Sequence, residues 1–293
     1  MEPYVKPTSD IFIKYLLGSK ANKDLLLSFI NSVLEDSKFQ KIIRVEIKNP
    51  FNLKSFVYDK ESILDVKAID ENNRQYDVEI QTTGNEHFKN RSLYYWAKLY
   101  CSQLEGGDKY IDLKPTICIN ILDFKLFNEI ESLHTCYLLR EQNLPEYVLT
   151  DHIIIHFLEV PKLQDGNIKT KLEKWLFYLK YEGKEKEKMK ILLKDTDINK
   201  AHDVYKHFSE DESLREIYEA RMKRKLDYNT DIAVAKQEGR KEGKQEGKQE
   251  GIKEAKFENA KKMLLKKYPA KDISDITGLP IEEIKRLKST VIN

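Results

Sequence analysis

An α/β fold, a mixed central sheet flanked by helices and followed by a helical C-terminal region, is predicted by three features of the 293-residue sequence. Two helical stretches occupy the chain before residue 40, and between 42 and 81 apolar and polar residues alternate with a period of two. Beyond that, the near-continuous apolar runs TICINILDF and IIIHFLEV, of the kind found in strands covered on both faces, are interspersed with helical segments.

Taken in order, Thr8-Ser9-Asp10 precedes IFIKYLLG, in which Ile11, Tyr15 and Leu16 share a helical face and Gly18 offers a stop. A second helix is expected over roughly 21–35, with Leu25, Leu26, Phe29, Ile30 and Val33 at three- and four-residue spacing. IIRVEIKN, SFVYDKESILDVKAID and RQYDVEIQT then read as consecutive antiparallel strands, the last two joined by the polar turn Asp70–Asn73. Residues 86–105 return to helix, with Tyr94, Trp96 and Tyr100 placed to pack on the sheet and Gly106-Gly107 to end it. The two apolar runs complete a sheet centred near residues 60–125.

After Pro161 the pattern is helical, and KTKLEKWLFYLKY is plainly amphipathic. The expected organisation is a core over 1–165, a helical subdomain over 166–230, a charged helix or linker over 231–268, and a helix-turn-helix-like element over 269–293 around Ile273, Ile276, Leu279, Ile284 and Leu287. In 231–268, Gly239, Gly243, Gly247 and Gly251 recur every four residues. On a helix they form a slowly winding small-residue stripe, although each costs about 1 kcal/mol against Ala. Such a segment serves equally as a solvated linker or as a self-association helix.

Composition narrows the function. Charged residues make up 34% of the chain but the net charge is only +2, so any nucleic-acid contact must come from local patches. Cys101, Cys118 and Cys136 form no CxxC pair and signal neither a disulfide framework nor a zinc site. His152 and His156 are four apart, but the isoleucines around them indicate a strand, and they read as ordinary core or edge histidines. The opening MEPYVKPTSD lacks the basic-then-apolar run of a signal peptide, and no stretch approaches a membrane span. A cytoplasmic protein with no membrane partner is expected.

The chemistry concentrates in 63–81. Alternation sends Tyr76, Val78 and Ile80 to one face of their strand and Asp77, Glu79 and Gln81 to the other; on the preceding strand it sets Asp65 and Lys67 opposite Leu64, Val66 and Ala68. A tight 70–73 turn brings Asp65 and Glu79 together. Two carboxylates on one sheet face repel unless a hard cation sits between them, and oxygen donors of this kind suit magnesium, with manganese as the alternative. Gln81 can orient a water by hydrogen bonding. On the following helix, Arg91 can grip a phosphate bidentately and Gln103 is expected to face the site.

Asp65, thirteen intervening residues and then Glu79-Ile80-Gln81 resemble the PD-(D/E)XK nuclease signature. PTSDIFIKYLLG, ILDVKA, YDVEIQ, NRSLYYWAKLYCSQLEGGDKYIDLKPTICINILDF and HFLEVPKL together resemble one branch of it, the recombination-promoting nucleases, or PD-(D/E)XK nuclease family transposases. The resemblance covers most of residues 7–163 and implies a restriction-endonuclease-like fold and a magnesium-dependent DNA endonuclease linked to recombination, mobile elements or defence. It implies that Asp65 and Glu79 are metal ligands and that Gln81 stands where the signature usually has lysine, with Leu64-Asp65 in place of Pro-Asp. Asp10 matches an acidic residue near the start of the family pattern and adds or positions a ligand, unless it only caps its helix. Lys67 is a candidate for the missing positive charge. The alternative is a DNA-binding or interaction protein with a weakened site. DNA is the expected partner, and a homodimer, formed through the C-terminal helix, is the simplest way to cut two strands.

Overall fold

The structure is a computed structural model that describes residues 5–51, 66–84, 87–166 and 168–291. Asp65 lies outside the described residues. The chain divides into two units, Met1–Ala220 and Arg221–Asn293.

In the first unit, α1 (Asp10–Gly18) and α2 (Lys23–Asp36) precede β1 (Val45–Ile47), β2 (Val66–Asp70) and β3 (Gln75–Gln81), which pair antiparallel in sequence order. The β2–β3 turn is held by Asp70. Its Oδ1 accepts from the amides of Asn72 (2.8 Å) and Arg74 (2.9 Å), and its Oδ2 accepts from Tyr76 Oη (3.1 Å). Asn73 takes the left-handed backbone conformation, φ 62°, that Asn tolerates better than most residues.

Helix α3 (Phe88–Cys101) is the crossover that lets β4 (Thr116–Leu122) lie parallel to β3. β6 (Ile153–Glu159) continues the parallel set, and β5 (His134–Leu138) pairs antiparallel with it, giving the order β1-β2-β3-β4-β6-β5. The sequence reading has no counterpart for β5. HTCYL is an edge strand with no buried residue, so no apolar alternation marks it.

The two faces of the sheet are covered differently. Tyr76, Val78 and Ile80 lie on the face approached by α1, where a Cβ added to Gly18 would stand 3.4 Å from Val66. The expected helices beyond 166 appear as α4 (Lys171–Tyr181), α5 (Lys186–Leu192) and α6 (Thr196–Glu210). They share their interior with α1 and α2: Phe12 stacks edge-on against Phe208, Phe29 against Trp175, and Ser28 donates to Asp197 at 2.6 Å. Full burial of side chains such as Phe12, Phe29 and Trp175 contributes roughly 1.5–3 kcal/mol each. The opposite face carries Cys118, Leu122, Ile155 and Phe157, packed against Phe88 and Trp96 of α3.

Helix α7 (Glu212–Leu265) is continuous over 54 residues and runs into the second unit. There Ala260 and Leu264 pack with Ile273 of α8 (Ala270–Thr277) and with Leu279 and Ile284, the latter on α9 (Ile281–Val291). Gly278, at φ 67°, closes α8 in the left-handed conformation. Of the apolar residues expected to build this element, Ile276 faces solvent instead. The repeat glycines are helical, and a Cβ added to any of the four would meet nothing within 4 Å.

Candidate active site

The polar face of β3 is where the parallel and antiparallel halves of the sheet meet. Register sets Lys67 of β2 opposite Asp77 on one side, and Asn120 and Leu122 of β4 opposite Glu79 and Gln81 on the other. Residues opposite each other share a face. Asn120 is buried and donates to Ser92 Oγ of α3 and to the carbonyl of His156, both at 3.0 Å, so α3 covers this face.

Arg91, one turn into α3, reaches the carboxylate. Its Nη2 donates to Glu79 Oε1 at 3.1 Å and to Gln81 Oε1 at 2.6 Å. The guanidinium lies 4.9 Å from the Phe88 ring and 5.6 Å from the Tyr95 ring, both on its own helix at i−3 and i+4. Glu79, Gln81 and Arg91 are thus one assembly: the strand period aims the first two, and the helical period brackets the third between aromatics. Because the Arg91 side chain is 39% exposed, its ion pair with Glu79 is worth at most about 1 kcal/mol. It orients the groups and opens at little cost. Arg91 Nε is buried with no acceptor among the described residues.

The start of α1 is tied to the same end of the sheet. The Asp123 amide donates to the Gln81 carbonyl at 3.0 Å, while the Asp123 carboxylate accepts from Thr8 Oγ1 at 3.1 Å and pairs with Lys6 Nζ at 2.5 Å. Asp10 lies two residues after Thr8. Its Oδ1 accepts from the Ile11 amide at 2.7 Å, and Ser9, not Asp10, occupies the N-cap position. Asp123 is a site neighbour that the sequence reading passed over. A carboxylate immediately after the apolar run of β4 was the available signal.

Gln103 is not brought to this group. Its amide donates to the Lys114 carbonyl and to Thr116 Oγ1, both at 3.0 Å, and accepts from the Lys114 amide at 2.9 Å. All of this occurs at the start of β4, whereas Asp123 follows its end. The expectation that Gln103 faces the site is corrected accordingly: it braces the approach to β4. Tyr95 and Trp96 separate in the same way, since Trp96 Nε1 donates to the Thr116 carbonyl at 3.0 Å while Tyr94 and Tyr95 are exposed.

The oxygen donors of this face suit a hard divalent cation rather than a soft one. Among the described residues no three His, Cys, Asp or Glu side chains form a ready-made metal cluster. Glu79 is the expected ligand present, and Asp65, adjacent in sequence to Val66, lies beyond the described set. Val66 pairs with Val78, the residue before Glu79.

No curated protein and no solved structure matches the chain. The family model for the PD-(D/E)XK nuclease family transposases matches residues 7–235, which take in the entire sheet, the Glu79–Gln81–Arg91 assembly and the first part of α7. On that match the chain belongs to the PD-(D/E)XK nuclease family transposases, and its function is nuclease-like.

Proposed function

We propose that the protein is a magnesium- or manganese-dependent DNA endonuclease that hydrolyses phosphodiester bonds at the polar face of β3. The observation that carries this reading is the Glu79–Arg91–Gln81 assembly: a carboxylate and an amide on one strand face, bridged by a guanidinium that is cheap to displace. Glu79 and Asp65 would hold the cation, with Asp10 supporting them from the start of α1. When bound, the cation supplies electrostatic stabilisation to the phosphodiester under attack and lowers the pKa of the attacking water.

The chain's own groups do the rest. Gln81 orients the water through its amide, since it can hydrogen-bond but carries no charge to stabilise phosphate. The positive charge that a lysine would bring is assigned to Arg91. With Glu79 engaged in holding a cation, the Arg91 guanidinium would be free to donate to a phosphate oxygen, with Nε as a further donor. Lys67, opposite Asp77, lies on the same face and is a second source of positive charge. Two copies acting together, joined through α7, would cut both strands.

The test is cleavage of supercoiled plasmid by the full chain with magnesium, manganese or calcium, alongside Asp65→Ala and Glu79→Ala. Nicking or linearisation that needs magnesium or manganese and is lost in both variants supports the reading. DNA binding without cleavage under any of the three ions would replace it with that of a weakened, DNA-binding relative.

A further inference from the structure

Helix α3 carries two aromatic pairs in different surroundings. On its inner side Trp96 and Tyr100 stack, with ring centroids 5.1 Å apart and planes inclined by 15°. Their polar atoms are engaged: Trp96 Nε1 donates to the Thr116 carbonyl at 3.0 Å, and Tyr100 Oη bonds His152 Nδ1 at 2.9 Å. Tyr94 and Tyr95 turn outward, 60% and 36% exposed, with ring centroids 5.7 Å apart, and Leu93 before them is 50% exposed. Core packing accounts for the first pair and not for the second.

Position and charge identify what meets the outer pair. The Tyr95 ring lies 5.6 Å from the guanidinium of Arg91, the group bonded to Glu79 and Gln81, so the two rings continue directly from the polar face of β3. Helix α3 carries Lys89, Arg91 and Lys98 and no Asp or Glu, whereas the whole chain has a net charge of only +2. Lys98 is exposed and lies one turn beyond the tyrosines, at i+4 from Tyr94 and i+3 from Tyr95. Exposed rings with a cation at either end are complementary to a polyanion that has flat faces to stack.

We propose that Tyr94 and Tyr95 form a stacking platform for the unpaired bases of a DNA strand whose phosphates are held by Arg91 and Lys98, so that the β3 site prefers DNA with a single-stranded segment. The platform rests on the reading that β3 acts on DNA. In a duplex the base faces are hidden within the stack, and an outside ring reaches only sugar and phosphate. Stacking on an aromatic side chain strengthens single-strand binding by about 5–150-fold per base, and taking a base out of a duplex costs a comparable factor. The two effects offset each other for paired DNA, and the gain remains for DNA that is already unpaired. Every base has a π-face, so the platform selects the state of the strand and not its sequence.

The test is equilibrium binding of the full chain, in chelator so that neither cation nor cleavage is needed, to a fluorescently labelled single strand and to the duplex of the same sequence at one salt concentration. The native chain should bind the single strand more tightly. The ratio of the two affinities should fall about 5–150-fold when Tyr94→Ala and Tyr95→Ala are combined, and should hold when both are Phe, which keeps the rings. Lys98→Ala should weaken both forms alike through loss of a phosphate contact. If the alanine pair disturbs folding by circular dichroism, Tyr94→Ala alone, at the more exposed ring, gives the same reading. Equal affinity for the two forms, or a ratio unmoved by the alanine pair, would overturn the proposal; an unmoved ratio with altered sedimentation would assign this face to a second copy of the chain instead. Plasmid cleavage reports separately: metal-dependent cutting without strand preference would remove the platform alone, and strand preference without cutting would remove the nuclease reading alone.

Discussion

The β3 strand and the glycine-repeat stretch of α7 each announce themselves by a short period, two in the first and four in the second, yet the structure treats them differently. In β3 the period sorts residues onto two faces that both meet partners: Val78 is fully buried, and Glu79 and Gln81 meet Arg91. In α7 the glycines also line up, but beyond the helix's own adjacent backbone nothing described stands within 4 Å of where their side chains would begin. A period fixes which residues share a face. What the face does is set by the elements brought against it.

The largest effect expected from breaking this contrast is at Glu79. Glu79→Ala should lower metal-dependent plasmid cleavage on the order of 100-fold or more, as loss of a group acting directly on transition-state charge does. Circular dichroism should show the fold intact, because the ion pair of Glu79 with Arg91 is partly exposed and weak. Full cleavage by a folded Glu79→Ala protein would place the chemistry elsewhere. Next comes the division of labour between Arg91 and Gln81. If Arg91 supplies the charge, Arg91→Ala should cost roughly 100-fold, and adding Gln81→Lys to it should recover much of the loss. Gln81→Lys alone should gain nothing, since it sets a second cation beside the guanidinium. A gain in the single variant would show that the charge is missing in the native site.

Much of this was legible in the sequence, and what was not has physical causes. Alternation placed Glu79 and Gln81 on one face and Tyr76, Val78 and Ile80 on the other, as the structure has them. Helical spacing put Arg91 on the element that follows. Gln103 lies past the end of α3 at Cys101, and the turn that follows the helix carries it to the start of β4, away from Arg91. β5 left no trace because an exposed edge strand needs no apolar pattern. The joining of α4 and α6 to α1 and α2 depends on contacts such as Ser28 with Asp197, 169 positions apart, and local periodicity carries no information about them. The facing of His134 and His156 is likewise a product of the β5–β6 ladder, which the i, i+4 spacing of His152 and His156 does not report. His152 instead bonds Tyr100 at 2.9 Å.

Two kinds of glycine sharpen the contrast between a residue with neighbours and one without. Gly183 sits at φ 70°, and a Cβ there would fall 2.0 Å from Tyr205 Oη, which itself donates to the Val5 carbonyl. Gly183→Ala should destabilise the first unit by roughly 2–5 kcal/mol, the sum of a left-handed backbone and overpacking. Replacing Gly239, Gly243, Gly247 or Gly251 with Ala should do the reverse and stabilise α7 by up to about 1 kcal/mol each. Thermal melting by circular dichroism reads both. If the stripe lets two helices approach closely, the four-alanine variant should be more helical yet associate less in sedimentation. Unchanged association would remove the glycines from any interface.

The smallest expected effect lies at Asp195, which caps α6. Its side chain accepts from the amides of Asp197 and Ile198 and pairs with Lys171 and with Lys174, the latter at 3.0 Å. Burial alone would raise its pKa, but the two lysines and the helix amide outweigh that and bring it down to about 2. A carboxyl with a lowered folded-state pKa binds fewer protons in the native than in the unfolded chain. Its contribution is therefore fully present above the ordinary carboxylate range and is lost as the pH falls from about 4 towards 2. Asp195→Ala should cost about 1 kcal/mol at neutral pH, by urea denaturation, and the difference from the native chain should shrink as the pH drops through that window. A difference that stays constant down to pH 2 would mean that the cap acts through its shape and not its charge, since only the charged carboxylate draws on both lysines and the helix amides at once.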